Sequence, residues 1–563
     1  MTGVYSPQRI SSFEEIYING CWLIKRQLLA FRNGLSTITY LVSKIYSFKR
    51  QLLGQSDGGN RSTSDISCTQ AILSSKPEPF IIKGSAHERL NSTQTGFKIL
   101  EERRRLEQKL DASGVEQMRQ WLRRTKALDR LNIVHVAGTK GKGSTCAFVN
   151  SILEQYRATT GAPEKVGMYT SPHLVAVRER IQINSKPVSE ELFTKYFFEV
   201  WEALESSAVR EGLDPAMKPS YFRFLTLMSF HLFLREEVTV AIYEVGVGGE
   251  LDSTNIIEQP GVTGITSLGI DHVATLGHTI DKISWHKAGI MKTGCPAFTV
   301  TQVPEAMSVL KRRAQEKGVT LGLVELIPAL RQVDIKPAED FQRQNASLAV
   351  ILSSEILRKL NIAPGIDLES LPVQVAEGLQ RTVWKGRCQL IDRNNQQWHL
   401  DGAHTHESLQ VASSWFGRLC QNTAEPRILI FNQQSQLRDV DGLLSTVHDV
   451  VYNRMGLNFQ HVLFCTNITY KGNEYKVADM FADFVDKNVD PEELKSLVFQ
   501  KKMADCWSKL DPASQVSVLP SLQEAVELVD QIDGGTKGTK VFVCGSFRLV
   551  GGMLSLLDQE VSD

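Results

Sequence analysis

The sequence predicts an α/β protein of two domains, each a parallel sheet flanked by helices, and three observations carry that prediction. Apolar runs of strand length alternate with segments of helical period along most of the chain, the order that parallel crossover connections require. A glycine-rich loop, Val136-Ala137-Gly138-Thr139-Lys140-Gly141-Lys142-Gly143-Ser144-Thr145, sits between one such run and a helix-like segment, Ala147–Tyr156. The chain has 563 residues, more than one hydrophobic core usually organises.

Residues 1–84 read as an N-terminal extension. Seven basic residues (Arg9, Lys25, Arg26, Arg32, Lys44, Lys49, Arg50) stand against Glu14 and Glu15 in its first 56 positions. Between Cys21 and Phe48 apolar and basic residues recur at helical spacing, as in a mitochondrial transit segment; a dispensable extension is the alternative. Gln55–Pro79 is rich in Ser, Gly, Thr and Asp and reads as a linker.

The first domain is expected over 85–383. Its strands are Asn132–Val136, Val166–Thr170, Val238–Val245, Val262–Thr266 and Ala297–Val300, with helices at Glu190–Glu205 and Tyr221–Arg235. The second is expected over 384–563, with strands at Cys388–Ile391, Trp398–Leu400, Ile428–Phe431, Val462–Cys465, Val516–Leu519 and Val541–Cys544 and a helix at Leu522–Ile532.

Composition narrows the functional classes. Lys plus Arg equals Asp plus Glu at 63 each, so no broad basic face for nucleic acid is expected. The nine cysteines are scattered and never form Cys-x-x-Cys, which argues for a reducing compartment over a disulfide framework or zinc ribbon. No uncharged apolar run approaches the ~18–20 residues of a membrane span. The expectation is a soluble monomer in the mitochondrion, the cytoplasm or both.

The loop carries the first chemical inference. Gly138, Gly141 and Gly143 let the backbone curl so that its N–H groups and the next helix N-terminus converge on phosphate oxygens, and Lys142 adds a mobile cation. The usual six-residue glycine spacing would put a glycine at Val136. A structural turn is the alternative. Glu244 closes the run Val238–Val245, where a carboxylate beside a phosphate loop commonly holds Mg²⁺. A strand-terminating glutamate before Gly246, Gly248 and Gly249 is its bland counterpart. Ser171 and His272 stand at two further strand tips, and His272 could ligate metal or meet phosphate. Lys287 is ambiguous on spacing alone.

Taken together, Gly138-Thr139-Lys140-Gly141-Lys142-Gly143-Ser144, Tyr169-Thr170-Ser171-Pro172-His173-Leu174 with Arg178-Glu179-Arg180-Ile181, Leu268-Gly269-Ile270-Asp271-His272 with Lys287-Ala288-Gly289-Ile290, and Asp401-Gly402-Ala403-His404 resemble the signature set of the folylpolyglutamate synthases. The resemblance spans about residues 85–560. It implies a Mur-ligase-like fold: an N-terminal P-loop ATPase domain with a parallel sheet plus a smaller C-terminal Rossmann-like α/β domain.

Carried over by position, it implies that Gly138, Thr139, Lys140, Gly141, Lys142, Gly143, Ser144 and Thr145 bind ATP phosphates, and that Ser171, Glu244 and His272 bind Mg²⁺. Lys287 matches the lysine carbamylated in bacterial relatives, and Lys142, Glu244, His272 and Lys287 form the expected catalytic group. A monovalent cation is allowed for as well. Arg387 and Asp401 match ATP contacts across the domain interface, His404 and Ser546 match positions tied to the incoming glutamate, and Phe431-Asn432 with Arg438-Asp439 match a loop facing the cleft. Lys385, Thr405 and Glu250 depart from the usual proline, asparagine and bacterial arginine. The implied substrates are ATP, reduced folates and L-glutamate, joined through an acyl phosphate. Dihydrofolate synthase shares this framework. A Mur-type cell-wall ligase would need a further recognition domain, and a P-loop switch or kinase gives no reason for Arg387, Asp401 and His404.

Overall fold

The computed structural model describes residues 96, 99–100, 103, 112–122 and 128–559, apart from 217, 422–423, 435–438, 472–494 and 536–537. The transit-like segment, the linker and Arg438 lie outside the described residues. One compact unit spans Gly84–Asp563, and it holds two sheets.

The first sheet comprises β1 (Ile133–Ala137), β2 (Val166–Tyr169), β3 (Ile181–Ile183), β4 (Lys186–Pro187), β5 (Val240–Glu244), β6 (Val262–Ile265), β7 (Ala297–Val300) and β8 (Leu321–Val324). Their spatial order is β4-β3-β2-β5-β1-β6-β7-β8. The phosphate-loop strand β1 thus lies centrally, paired in parallel with β5 and β6. All five expected strands are present. Three others escape the pattern: β3 and β4 form an antiparallel edge and β8 is a short outer strand. Edge strands lack the continuous apolar run of a strand covered on both faces.

Helices cover both faces. These are α1 (Ala112–Leu122), α2 (Lys142–Thr160), α3 (Glu190–Arg210), α4 (Tyr221–Arg235), α5 (Ile280–Lys287), α6 (Pro304–Glu316), α7 (Asp340–Lys359) and α8 (Val373–Gln380). The period of two divides the strands between two cores. Val134, Val136, Val240 and Ile242 pack with Phe148, Ile152, Leu348, Leu352 and Leu379 of α2, α7 and α8. Ile133, Ala241 and Tyr243 pack with Phe193, Phe197, Phe224 and Phe230 of α3 and α4.

The second sheet comprises β9 (Gln389–Arg393), β10 (Gln396–Leu400), β11 (Arg427–Phe431), β12 (His461–Cys465), β13 (Gln515–Leu519) and β14 (Lys540–Cys544), ordered β13-β12-β11-β14-β10-β9. It is parallel except that β9 pairs antiparallel with β10, so the sheet is parallel-rich, as an α/β domain requires. The three-residue step from Arg393 to Gln396 passes through Asn394 and Asn395, both at positive φ, and so short a link can form only a hairpin.

Its helices are α9 (His406–Cys420), α10 (Val440–His448), α11 (Val498–Leu510), α12 (Leu522–Asp533) and α13 (Phe547–Gln559). Leu429 and Phe431 pack toward Phe416, Leu444 and Trp507, whereas Ile428 and Ile430 pack toward Leu522, Val529, Leu549 and Leu554. The two halves are joined by more than the connecting chain. Leu174, which follows β2 of the first sheet, is buried in the core of the second beside Trp398 and Val543.

Candidate active site

The carboxyl ends of β1, β2, β5 and β6 open on one side of the first sheet, where α/β proteins bind ligands. After β1 the loop turns through Gly141, whose φ of 88° is left-handed, and α2 begins at Lys142. Gly141 also lies against the Asn345 carboxamide of α7, so a side chain there is refused by both backbone and space. No side chain caps α2, and its first N–H groups are available to an anion.

The segment after β6 holds the loop in shape. Ser267 O accepts from Thr139 N at 3.0 Å and Lys140 N at 3.1 Å, and Thr266 Oγ1 donates to Lys140 O at 2.7 Å. Thr139 Oγ1 donates to Gly269 O at 3.1 Å. Lys287, at the end of α5, is buried and its Nζ donates to Gly138 O at 2.7 Å. It is therefore not a solvated lysine. Burial, with the Lys142 charge nearby, pulls its ammonium down to about 7.

Glu244 ends β5, is buried, and accepts from Ser171 N at 3.0 Å through Oε2. Burial pushes its carboxyl upward, while the charge of Lys142, the Ser171 N–H and the charge of Arg387 act in the opposite sense. Ser171 is held by its motif: Glu179 accepts from the N–H groups of Leu174 (2.9 Å), Val175 (3.2 Å) and Ala176 (2.9 Å), and Arg180 Nε donates to His173 Nδ1 at 2.8 Å. His272 caps a single helical turn at φ 52°. Burial lowers its imidazole pKa, countered by Asp271 and reinforced by Lys142, Lys287 and Lys140. Lys142 acts electrostatically on Glu244, His272 and Lys287 alike, so these residues share one neighbourhood.

The second sheet completes the site. Arg387, in the turn after Trp384, stands 3.7 Å from Asp401 at the end of β10 and lies over the Phe547 ring at 3.9 Å. Its charge reaches both Glu244 and Lys140. Asp401 Oδ2 accepts from Cys388 N at 2.8 Å and from Cys388 Sγ at 3.3 Å. Lys140 Nζ pairs with Asp271 at 3.5 Å and donates to Thr405 Oγ1 at 3.4 Å, crossing between the sheets. Thr405 also caps α9, so this departure from asparagine keeps a capping oxygen. His404 Nδ1 lies 2.8 Å from Gly402 O; a carbonyl only accepts, so Nδ1 carries the proton. Ser546 Oγ accepts from Arg548 N at 3.1 Å, after β14.

Sequence reasoning misses several supporting residues. Trp384 packs over Gly143, where an added Cβ would come within 2.8 Å of its Cζ2. Glu250 accepts from Arg313 Nη2 at 2.6 Å, and its N–H donates to His286 O at 2.7 Å, fastening the glycine loop after Glu244 to the helix of Lys287. Thr266, Asn345, Cys388 and Glu250 act through contacts distant in sequence and carry no local signal. Only the glycine at 143 hints at a close approach.

A switch or kinase can hold its nucleotide with one sheet. Here the loop, its lysines and Glu244 are completed by residues of a second α/β domain, the arrangement of the Mur-ligase-like, ATP-dependent amide-forming enzymes. No protein-family model matches the chain. It is 49% identical over 490 residues to the folylpolyglutamate synthase of Neurospora crassa, covering 84% of this chain and 91% of that protein. The Saccharomyces cerevisiae folylpolyglutamate synthase is 43% identical over 486 residues, covering 84% and 86%. Mycobacterium tuberculosis folylpolyglutamate synthase, solved with ADP and AMPPCP, superposes with a TM-score of 0.61 at 23% identity over 83% of this chain and 99% of that one. The chain belongs to the folylpolyglutamate synthase family.

Proposed function

We propose that the chain extends reduced folates by one γ-linked glutamate per cycle, within a first domain of residues 85–383 and a second of 384–563. The supporting observation is the crossing at Lys140 and Arg387, where charges of the second half meet the phosphate loop and Glu244. A γ-carboxylate oxygen of the folate attacks the γ-phosphorus of ATP, the bridging P–O bond to ADP breaks, and an acyl phosphate forms. The α-amine of L-glutamate then attacks its carbonyl carbon, the amine loses a proton, and the C–O bond to phosphate breaks. Lys142 and the loop N–H groups neutralise charge on the transferred phosphoryl. Arg387 and Asp401 hold the nucleotide, and His404 and Ser546 orient the glutamate.

Glu244, Ser171 and His272 would hold Mg²⁺. The donor set fits: a buried carboxylate already kept in place by Ser171 N, a hydroxyl and an imidazole. Mg²⁺ takes one or two carboxylates and completes its shell with water and substrate phosphate, which Glu244 with a hydroxyl and an imidazole would supply. When bound it supplies charge neutralisation at the phosphoryl group. Lys287 is proposed as a carbamylation site, supported by a pKa near 7 that leaves free amine at neutral pH. Addition of CO₂ forms an N–C bond, releases a proton and turns a cation into a carboxylate; intact mass with and without bicarbonate tests it.

The deciding experiment is phosphate release with Mg·ATP, tetrahydrofolate and L-glutamate, each omitted in turn. Release that ignores folate and glutamate defeats the ligase reading. Release with dihydropteroate in place of tetrahydrofolate would assign the synthase activity instead.

A further inference from the structure

The end of β11 holds buried side chains that the phosphoryl chemistry does not use. Asn432, Gln433 and Gln434 follow Phe431 directly and are 0%, 6% and 5% exposed. Four carboxamides are joined head to tail. Gln500 Nε2 donates to Asn432 Oδ1 at 3.0 Å, Asn432 Nδ2 to Asn467 Oδ1 at 2.8 Å, and Asn467 Nδ2 to Gln434 Oε1 at 3.2 Å. Among the described residues the series stops at Gln434, whose buried Nε2 has no hydrogen-bond partner there.

Folded interiors seldom leave such a donor unsatisfied. Each amide in the series polarises the next, so the last N–H₂ is a stronger donor than an isolated carboxamide. A carboxylate is the acceptor that gains most from it.

Its place in the fold says which carboxylate. β11 pairs with β14, and the turn after β14 carries Ser546. Gln433 Nε2 donates to Gly545 O at 2.9 Å, and Gly545 N donates to Ala403 O at 2.8 Å, next to His404. Gly545 thus ties Gln433, the chain neighbour of Gln434, to the segment before His404, and Ser546 follows it directly. Adjacent strands stand about 5 Å apart, a separation that a single dicarboxylic amino acid spans.

We propose that Gln434 Nε2 binds a carboxylate of the incoming L-glutamate, with Gln500, Asn432 and Asn467 fixing it in position. The assignment rests on the reading of His404 and Ser546 as the glutamate side of the site. It is tested on the full-length protein by phosphate release, varying L-glutamate, ATP, and tetrahydrofolate bearing one or three glutamates. Gln434→Met keeps the length of the side chain and removes the donor; the KM for L-glutamate is expected to rise about tenfold or more, with the KM for ATP and both folates and the melting temperature unchanged. Gln434→Glu places an anion there, and its larger glutamate KM is expected to fall back as pH is lowered and the carboxyl takes up a proton, a response that a packing defect would not give. An unchanged glutamate KM in both variants overturns the proposal. So does a rise confined to the triglutamate folate, which would put the carboxylate on the folate tail. Wild-type release that ignores glutamate overturns the ligase reading and this assignment together, whereas glutamate-dependent wild type beside unaffected variants overturns this assignment alone.

Discussion

The two sheets end alike, with loops at the carboxyl ends of parallel strands, yet they fill those ends with different chemistry. The first gathers charge: Lys140, Lys142, Glu244, Asp271 and Lys287 surround the phosphate loop, and burial shifts the pKa of Lys287 to about 7 and that of Glu244 upward. The second is mainly neutral at β11, β12 and β14, where Asn432, Gln433, Gln434, Asn467 and Ser546 stand, and it keeps its charge, Arg387 and Asp401, at the edge facing the first sheet. Under the function proposed above, the contrast matches two tasks. A phosphoryl group in transfer carries charge that only opposite charge and oriented dipoles can balance. A small amino acid needs orientation, which fixed neutral amides supply without competing with the phosphate.

The largest test of this division falls on the charged end. Lys142→Ala and Glu244→Ala are each expected to lower kcat by about 10²–10³-fold or more, with folding kept, as circular dichroism would report. Substantial turnover in either variant would break the comparison. Next come the charges that the second half lends to the first. Asp401→Ala or Arg387→Ala should raise the KM for ATP about tenfold and leave the KM for glutamate alone; the reverse pattern would exchange the roles of the two ends.

The junction itself is tested by Leu174→Ala. Removing a buried leucine typically costs about 2–5 kcal/mol, and Leu174, 8% exposed in the core of the second sheet, should fall at the low end, at about 2 kcal/mol. Because it ties the halves together, the single calorimetric transition expected of the parent should separate into two. One unsplit transition would show that other contacts hold the junction.

The smallest effect treats the two sheets alike. Burial holds His135 on β1 down to about 3 and His399 on β10 to about 4, from 6.5. The unfolded chain therefore takes up these protons first. Stability is undiminished by them above about pH 6.5 and is lost as pH falls toward 4, by on the order of a few kcal/mol in all. Denaturant midpoints measured between pH 7 and 5 check this, and His399→Gln, which cannot charge, should flatten the decline. A decline unaltered by that change would remove His399 from the account.

Much of this architecture is legible in the residues alone. Strands covered on both faces announce themselves as apolar runs, so β1, β5, β6, β11 and β14 are marked to within a residue or two, and the glycines, Glu244 and His272 stand at their ends because loops after such strands carry polar chemistry. The antiparallel strands β3, β4 and β9 are not read correctly in this way, because their exposed faces break the apolar run and their direction depends on partners elsewhere in the chain. Lys287 is ambiguous in the sequence for a related reason: a lysine in a helix reads as solvated, and only the contact of its Nζ with Gly138 O shows otherwise.

The sequence by itself determined the class of fold, the phosphate loop, the identity of the charged residues and the family, since these rest on local periodicity and on motifs that are continuous in the chain. Tertiary structure alone decided which of those residues meet. Lys140 with Thr405, Leu174 with Trp398, and the series from Gln500 to Gln434 join positions between 33 and 265 residues apart. Such contacts depend on how two sheets pack and which strands lie side by side, and no local pattern of residues records that.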